Sequence, residues 1–153
     1  MIIRAATPAD AEGMCKVVNP LIEAGGTTAL RTPFTAASMT KVYIERASLT
    51  SCSVAEAGGV ILGFQSLELA AADTGHVPQG WGIIATFAQR GGNKRGVGTA
   101  LFQRTLEQAK QAGISTIDAT IRTENTGGQI YYTKMGFVDW TSGTDTVSKR
   151  YDV

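Results

Sequence analysis

Hydrophobic and polar positions along this chain follow a helical period in some segments and a strand period in others, and glycines separate them. Apolar residues recur every three or four positions over residues 14–22, the spacing of a helix with one face on a sheet. Thr7 is the predicted N-cap of this helix and Pro8 its first residue, and Gly25-Gly26 ends the pattern. The pattern predicts a strand over residues 2–5 and then this helix.

A second helix is predicted from about Ala36 to Ala47, with Thr35 as its N-cap. The next segment, "SCSVAEAGGVILGFQSLEL", changes to short apolar and β-branched runs around Ala57-Gly58-Gly59, which predicts two strands joined in a hairpin. In the stretch "WGIIATFA", residues 81–88, every second side chain is apolar and falls on one face: Trp81, Ile83, Ala85 and Phe87. It predicts a further strand that runs directly into a cluster of glycines.

After that cluster, Phe102, Leu106 and Ala109 mark a helix that ends at Gly113. "ISTIDATI" then alternates apolar and polar residues, which predicts a strand, and "TGGQIYYTKMG" predicts a short last helix. "FVDWTSG" and "TVSKRYDV" predict two closing strands. We expect a single α+β domain over residues 1–153, with a mixed sheet of about six to seven strands flanked by about four helices.

The charge of the chain is close to balanced, with 14 Lys and Arg against 13 Asp and Glu and a net charge of +1. Without a basic field, we expect no nucleic-acid partner. The sequence has no run of about 18 apolar residues, so we expect no membrane span. Cys15 and Cys52 lack metal-type spacing, so we expect no metal and two buried thiols in a reducing compartment. Together with the absence of a long apolar run, this predicts a soluble cytoplasmic protein.

The stretch "NKRGVGTALF", residues 93–102, joins a predicted strand to the N-terminus of a helix. Such a turn exposes unpaired backbone N–H groups, and the helix dipole attracts anions there. Gly96 and Gly98 leave room for a ligand against the main chain. A Walker A loop is excluded because Val97 follows Gly96, and a dinucleotide fingerprint is excluded because Leu101 stands where its third glycine or alanine belongs.

Two motifs carry a resemblance to a known family. Residues 93–98 are similar to the pattern [QR]-x-x-G-x-[GA], with Asn93 in place of Gln or Arg, and "NTGGQIYYTKMGF" matches N-x-x-[AG]-x-x-x-Y-x-K-x-G-F. In this order the motifs resemble those of the GNAT superfamily of acyl-CoA-dependent N-acyltransferases. The resemblance implies a GNAT fold, in which strand four splays from strand five.

It also implies acetyl-CoA as co-substrate, with the pantetheine arm in the splayed gap and the pyrophosphate on the glycine loop. By that resemblance, the cofactor-binding residues are Thr86, Phe87, Ala88, Asn93, Lys94, Arg95, Gly96, Val97, Gly98, Thr99, Asn125 and Tyr132. For Asn125, a role as helix N-cap is an equal alternative.

The resemblance assigns Tyr132 as the acid that protonates the leaving thiolate. We expect Tyr131 to point elsewhere, because consecutive helix residues do not share a face. Strand four carries no acidic residue to act as the base. Glu68, Asp73 and His76 are the alternatives for that role.

Residues 2–35 resemble one branch of the superfamily, the phosphinothricin N-acetyltransferase-like proteins. In that branch the segment from the first helix into the following loop walls the acceptor pocket. Members often form homodimers, so a homodimer is one expectation. The implied substrate-binding residues are Asn19, Glu23, Thr27, Thr28 and Arg31. Arg31 would bind a substrate carboxylate or be an ordinary exposed cation.

Together these observations predict an acetyl-CoA-dependent N-acetyltransferase that modifies a primary amine of a small molecule, which could be amino-acid-like. Two alternatives remain from other classes. One is a non-catalytic acyl-CoA-binding or sensor domain, which the missing acid on strand four favours. The other is a protein N-acetyltransferase.

Overall fold

A computed structural model describes residues 1–73, 75–89 and 96–153. Over these residues the chain forms seven strands and four α-helices, which confirms the predicted α+β fold. In chain order they are β1 (Ile2–Ala5), α1 (Ala11–Ala24), α2 (Ala36–Tyr43), β2 (Leu49–Ala57), β3 (Val60–Leu69), β4 (Gly82–Ala88), α3 (Val97–Gln111), β5 (Thr116–Arg122), α4 (Thr126–Met135), β6 (Val138–Ser142) and β7 (Thr146–Asp152).

The strands form one mixed sheet in the order β1-β2-β3-β4-β5-β7-β6. Its only parallel pair among the described residues is β4 with β5, and they pair at just two positions, Gly82 with Ile117 and Ile83 with Asp118. Each strand has seven residues, so the rest of β4 and β5 is unpaired on the facing edges. The predicted splay is confirmed, and "the gap" below means the space between β4 and β5 beyond Ile83 and Asp118.

Helices cover both faces of the sheet. One face, here the α1 face, packs against α1 and α2 in a core that includes Met14, Met39, Phe64 and Phe87. The other, the α3 face, packs against α3 and α4. Because side chains alternate along a strand, Ile84 and Thr86 of β4 point to the α3 face while Ile83, Ala85 and Phe87 point to the α1 face.

Helix α1 begins three residues later than predicted. Residues 8–10 form a 3₁₀ turn, and Thr7 is the N-cap of that turn. The Thr7 backbone N–H donates to Asp10 Oδ2 at 2.8 Å, and the same carboxylate accepts from Arg4. The α-helix therefore starts at Ala11, after this capped turn.

Helix α2 is shorter than the predicted span from Ala36 to Ala47, because it ends at Tyr43. The backbone N–H groups of Ile44 and Glu45 both donate to the carbonyl of Thr40, at 3.1 and 2.8 Å. Two donors on one carbonyl interrupt the regular helical ladder. Thr35 caps the other end as predicted, accepting from the Ser38 N–H.

Candidate active site

The N-terminus of α3 lies at the end of the gap where β4 stops. Gly96 is its N-cap, with φ +71°, and a Cβ built there would meet nothing within 4 Å. The Ala100 N–H donates to the Gly96 carbonyl at 3.0 Å. The N–H groups of the preceding helical residues have no helical carbonyl to bond. This end of α3 is therefore open to an anion.

The predicted cofactor residues at this turn divide into two groups. Val97 is fully buried and Thr99 is exposed, so the helix is anchored on one side and accessible on the other. Asn93, Lys94 and Arg95 lie outside the described residues. The prediction for those three stays a prediction.

Gly98 has a structural role that the sequence did not reveal. A Cβ at Gly98 would lie 2.6 Å from Cε1 of Tyr131, and the Tyr131 hydroxyl donates to the Gly98 carbonyl at 2.7 Å. The missing side chain therefore lets α4 pack closely on α3. A bulky residue here would displace Tyr131 before it reached a ligand.

Tyr131 and Tyr132 converge on the same strand, so the expectation that Tyr131 points elsewhere is wrong. Their ring centroids are 4.9 Å apart. Neighbouring helix residues differ by about 100° around the axis, so when the contact line runs midway between them, each ring departs from it by only about 50°. Two long rings can then reach the sheet together.

A hydrogen-bonded group connects these rings to β4. The Gln65 amide nitrogen donates to Thr86 Oγ1 at 2.9 Å and to the Tyr131 hydroxyl at 3.1 Å. Thr86 Oγ1 lies 2.8 Å from the Tyr132 hydroxyl. Because an amide N–H₂ can only donate, Thr86 accepts from Gln65 and can pass its own hydrogen to Tyr132. The Tyr132 proton is then available to another acceptor.

Burial sets the protonation of both phenols. It raises the pKa of Tyr131 to about 12, against smaller opposing contributions from Gln65 and Thr86. Burial also raises the pKa of Tyr132 well above its ordinary value, and the Thr86 hydrogen bond opposes part of that rise. Both hydroxyls stay protonated at neutral pH, so Tyr132 can act as a proton donor.

The two remaining predicted cofactor residues on β4 have different surroundings. The Phe87 side chain is buried on the α1 face against Phe64 and Tyr43, so its backbone is the part that borders the gap. Ala88 ends the strand and pairs with Gly63. Any contact of these residues with a ligand in the gap would be made by the main chain.

Asn125 is the N-cap of α4. Its Oδ1 accepts from the Gly128 N–H at 2.9 Å, and its Nδ2 donates to the Thr27 carbonyl at 2.9 Å. The capping role is therefore present, and the same side chain ties the loop between α1 and α2 to α4. The alternative role, contact with a cofactor arm, stays a prediction.

Of the predicted acceptor wall, Asn19 and Glu23 lie on α1, whereas Thr27, Thr28 and Arg31 lie on that loop. Asn19 uses its amide to anchor it, accepting from the Phe34 N–H at 2.8 Å and donating to the Phe34 carbonyl at 2.9 Å. Thr28 Oγ1 accepts from the Leu30 N–H. The remaining wall residues, Glu23, Thr27 and Arg31, are exposed.

The three candidates for the base have different partners. The Glu68 carboxylate binds the Arg46 guanidinium at 3.1 Å and the Ser48 hydroxyl at 2.6 Å. Asp73 is exposed in the loop before β4. His76 Nε2 lies 3.0 Å from Ser148 Oγ, in a polar group that also contains a buried aspartate.

Sequence reasoning missed two buried polar residues. Gln65 and Asp118 are both fully buried, on β3 and β5. Gln65 is a polar residue in a mostly apolar strand, and this signal could have found it. Asp118 falls on the polar face of an alternating strand, so no such signal marks it.

Neither cysteine forms a disulfide with another described residue. Cys15 and Cys52 are free and half-buried, and burial raises the pKa of Cys52 to about 12. In the described part of the chain, no helix is both long and apolar enough to cross a membrane. Nor do three or more metal-binding side chains converge within residues 1–73, 75–89 and 96–153.

A splayed parallel pair, an open helix N-terminus and a buried tyrosine beside them define an acyltransferase-like site. The model of the acetyltransferase (GNAT) family matches residues 26–137, and the chain belongs to this family of acetyltransferases. A search of curated protein sequences gave no significant match.

Solved structures share the fold over the whole chain. One is the ribosomal-protein-alanine N-acetyltransferase from Brucella melitensis, with TM-score 0.86, 18% identity and 100% of both chains covered. Another is yncA, a putative acetyltransferase from Salmonella typhimurium with its cofactor acetyl-CoA, with TM-score 0.85, 17% identity and coverage of 99% and 93%. A third is a phosphinothricin acetyltransferase from Sinorhizobium meliloti in complex with AcCoA, with TM-score 0.83, 16% identity and coverage of 99% and 88%.

The contact between Gly98 and Tyr131 predicts a strong coupling between these positions. Gly98→Ala should lower the free energy of unfolding by about 1–3 kcal/mol, because the added methyl overpacks the ring. In a Tyr131→Ala background the same change should become neutral or stabilising, since alanine is the better helix residue. Urea unfolding of the four proteins in this double-mutant cycle measures the coupling, and additive effects would contradict the close contact.

Proposed function

We propose that this protein transfers the acetyl group of acetyl-CoA to a primary amine of a small molecule. The observation that carries the proposal is the position of Tyr132, a buried proton donor held against β4 beside the gap. The family supplies the general activity, acetyl transfer. The substrate and the individual roles below are the proposal.

The gap supports acetyl-CoA as the co-substrate. β4 pairs with β3 along residues 82–88 but with β5 only at residues 82 and 83. Its remaining N–H and C=O groups on the β5 side have no strand partner in the described chain, so they can bond an extended pantetheine arm. Gln65 Oε1 is buried without a described donor, which leaves an acceptor close by for a ligand N–H. The N-terminus of α3 would bind the pyrophosphate.

Acetyl-CoA supplies a thioester whose carbonyl carbon is open to attack by a neutral amine. The new C–N bond forms as the C–S bond breaks, and the sulfur takes up the electron pair. The nitrogen loses one proton to solvent as the amide forms, and solvent later returns a proton to Tyr132. Tyr132 gives its proton to that sulfur, while the hydrogen bond from Thr86 stabilises the negative charge that develops on the phenol oxygen. Gln65 polarises Thr86 in the same direction.

The acceptor side supports a small amine. The net charge of +1 gives no field that would gather nucleic-acid-bound protein. The loop between α1 and α2 is held against the start of α4 by the hydrogen bond from Asn125 to the Thr27 carbonyl. Arg31 is its exposed cation and can bind a carboxylate through two N–H groups.

A turnover assay tests this function against both alternatives. The purified protein is mixed with acetyl-CoA and a panel of amino acids, simple amines, polyamines and peptides, and CoA release is measured. Release with small amines supports the proposal, whereas release with peptides alone indicates a protein N-acetyltransferase. Acetyl-CoA binding without release with any acceptor indicates a non-catalytic binding domain.

Matched acceptors with and without a carboxylate extend the same assay. Arg31→Ala should raise KM for the carboxylate-bearing member of each pair and leave kcat nearly unchanged, because that contact is made equally in the ground and transition states. Lys41→Ala, which removes another exposed cation, is the control. Equal effects of Arg31→Ala on both members would exclude a carboxylate contact.

A charge at the start of α3 should separate folding from cofactor binding. Thr99→Glu places a carboxylate in the first turn, where it should stabilise the helix by about 0.3–1 kcal/mol. The same charge should weaken acetyl-CoA binding about tenfold or more, because it repels the pyrophosphate. Thr99→Gln is the uncharged control. Calorimetric affinities that are equal for the two variants would contradict the pyrophosphate site.

Tyr132→Phe should lower kcat about 10²–10⁴-fold, because it removes the proton but keeps the packed ring. The affinity for acetyl-CoA should stay nearly constant. Thr86→Val should lower kcat less, since it removes only the hydrogen bond to the phenol. Steady-state kinetics that show a loss with Tyr131→Phe instead would move the acid to the neighbouring tyrosine.

A further inference from the structure

Asp118 is a buried carboxylate that the proposed transfer step does not use. It lies at the last paired position of β5, where the gap begins, and its side chain shares the α1 face with Ile83. It is fully buried and has no ion pair with any residue of the described chain. A charged group in such a place needs hydrogen-bond donors.

Two donors bind this carboxylate. The Trp140 indole N–H donates to Oδ1 at 2.9 Å, and the Thr120 hydroxyl donates to Oδ2 at 2.7 Å. Thr120 has one hydrogen, so its oxygen must act as the acceptor towards its other neighbours. These neighbours are Ser148 Oγ at 2.9 Å and His76 Nε2 at 3.3 Å.

The same accounting fixes the next hydrogens. For every contact to contain a hydrogen, Ser148 must donate to Thr120 and the imidazole must donate its Nε2 hydrogen to Ser148, 3.0 Å away. A single direction results: His76 donates to Ser148, Ser148 to Thr120, and Thr120 to Asp118. His76 Nδ1 then holds a lone pair and bonds to none of the described residues.

The imidazole is accessible to a substrate. Its side chain is exposed, and its ring packs on Trp140 with centroids 5.8 Å apart. A pocket of about 150 Å³ opens beside it, lined by His76 and by residues that are mostly hydroxyl-bearing: Thr141, Ser142, Gly143, Thr146 and Ser148. At about 30 Å³ per water, this volume holds a compact amine.

Charged groups around His76 come from three elements. Asp118 of β5 acts through the chain of hydroxyls, and Asp73 is exposed in the same loop as His76. Arg150 of β7 lies over the Trp81 ring, 4.9 Å from its centroid. Burial raises the pKa of Asp118, and the charge of His76 is one of the contributions that lower it again.

We propose that His76 Nδ1 takes the proton from the acceptor ammonium and that Asp118, through Thr120 and Ser148, is a positioning residue that orients the imidazole. This inference rests on the proposed function. The substrate N–H bond breaks, its electron pair stays on nitrogen for attack on the thioester, and the proton forms an imidazolium. The exposed ring then releases that proton to solvent.

The gap explains how a proton acceptor and a proton donor serve one thioester. Thr120 borders the gap on the α1 face, two residues beyond Asp118, whereas Tyr132 and Thr86 border it on the α3 face. An amine that arrives from the α1 face would lose its proton to His76 there. The thiolate would be protonated by Tyr132 from the other face.

His76→Gln should lower kcat about 10²–10⁴-fold with unchanged acetyl-CoA affinity. The deficit should shrink as the pH approaches the pKa of the substrate amine, about 10 for a simple amine, because solution then supplies the neutral form. Imidazole added to His76→Ala should restore part of the rate. Glu68→Gln is the comparison, and a pH-dependent deficit in that variant alone would overturn the assignment in favour of Glu68.

Thr120 tests the positioning chain at an exposed side chain. Thr120→Val should lower kcat about tenfold and leave KM unchanged, whereas Thr120→Ser, which keeps the hydroxyl, should retain the parent rate. Equal rates for the two variants would overturn the role of the hydroxyl chain.

His76 is the only histidine in the sequence, so its nitrogen NMR shifts can be assigned without ambiguity. A neutral ring protonated at Nδ1 would also overturn the proposed direction of the hydrogen-bond chain.

The outcomes separate the base from the function. A parent that acetylates small amines with a His76→Gln variant of equal rate would overturn the base and leave the proposed function intact. A parent without turnover on any amine would overturn the proposed function and the base with it.

Discussion

The two-residue ladder between β4 and β5 is the constraint on which the site depends. Every other neighbouring pair in the sheet is antiparallel and pairs over at least four positions. A parallel pair of seven-residue strands that stops after two positions leaves main-chain donors and acceptors open within the sheet itself. A ligand with its own amides can bond these groups, so the interruption in the sheet is also the proposed binding site.

The interruption gives access to both faces of one layer. In an intact sheet, alternate side chains are separated by the backbone, and groups on opposite faces cannot serve the same bond. At the gap, Thr86 and Thr120 stand on facing strands but on opposite faces, and each connects to a titratable ring. Donor and acceptor of protons are thereby kept apart, so that neither neutralises the other before substrate binds.

The sequence predicted the order and type of the elements because their signals are local. Gly58 and Gly59 both adopt positive φ, so the local sequence was enough to predict the hairpin. The end of α2 was missed because it depends on two donors that share the Thr40 carbonyl, a geometry no propensity encodes. Tyr132 was found only through a motif, and Tyr131 was misplaced because the rule for neighbouring helix residues ignores where the contact line falls.

Asp118 shows most clearly what local patterns omit. Burial raises the pKa of its carboxyl, and the hydrogen bonds from Thr120 and Trp140 and the charge of His76 lower it again. For an acid, a raised pKa in the folded state means that the ionised form weakens the fold as the pH rises, so the buried charge opposes stability. Alternation in "ISTIDATI" assigns the same polar face to Asp118 and Thr120 but says nothing of partners that are 22 and 28 residues away from them. The Asp118 carboxylate opposes stability, and it ends a directed chain of hydrogen bonds that begins at an exposed imidazole. Proton transfer at the gap explains this arrangement better than packing does.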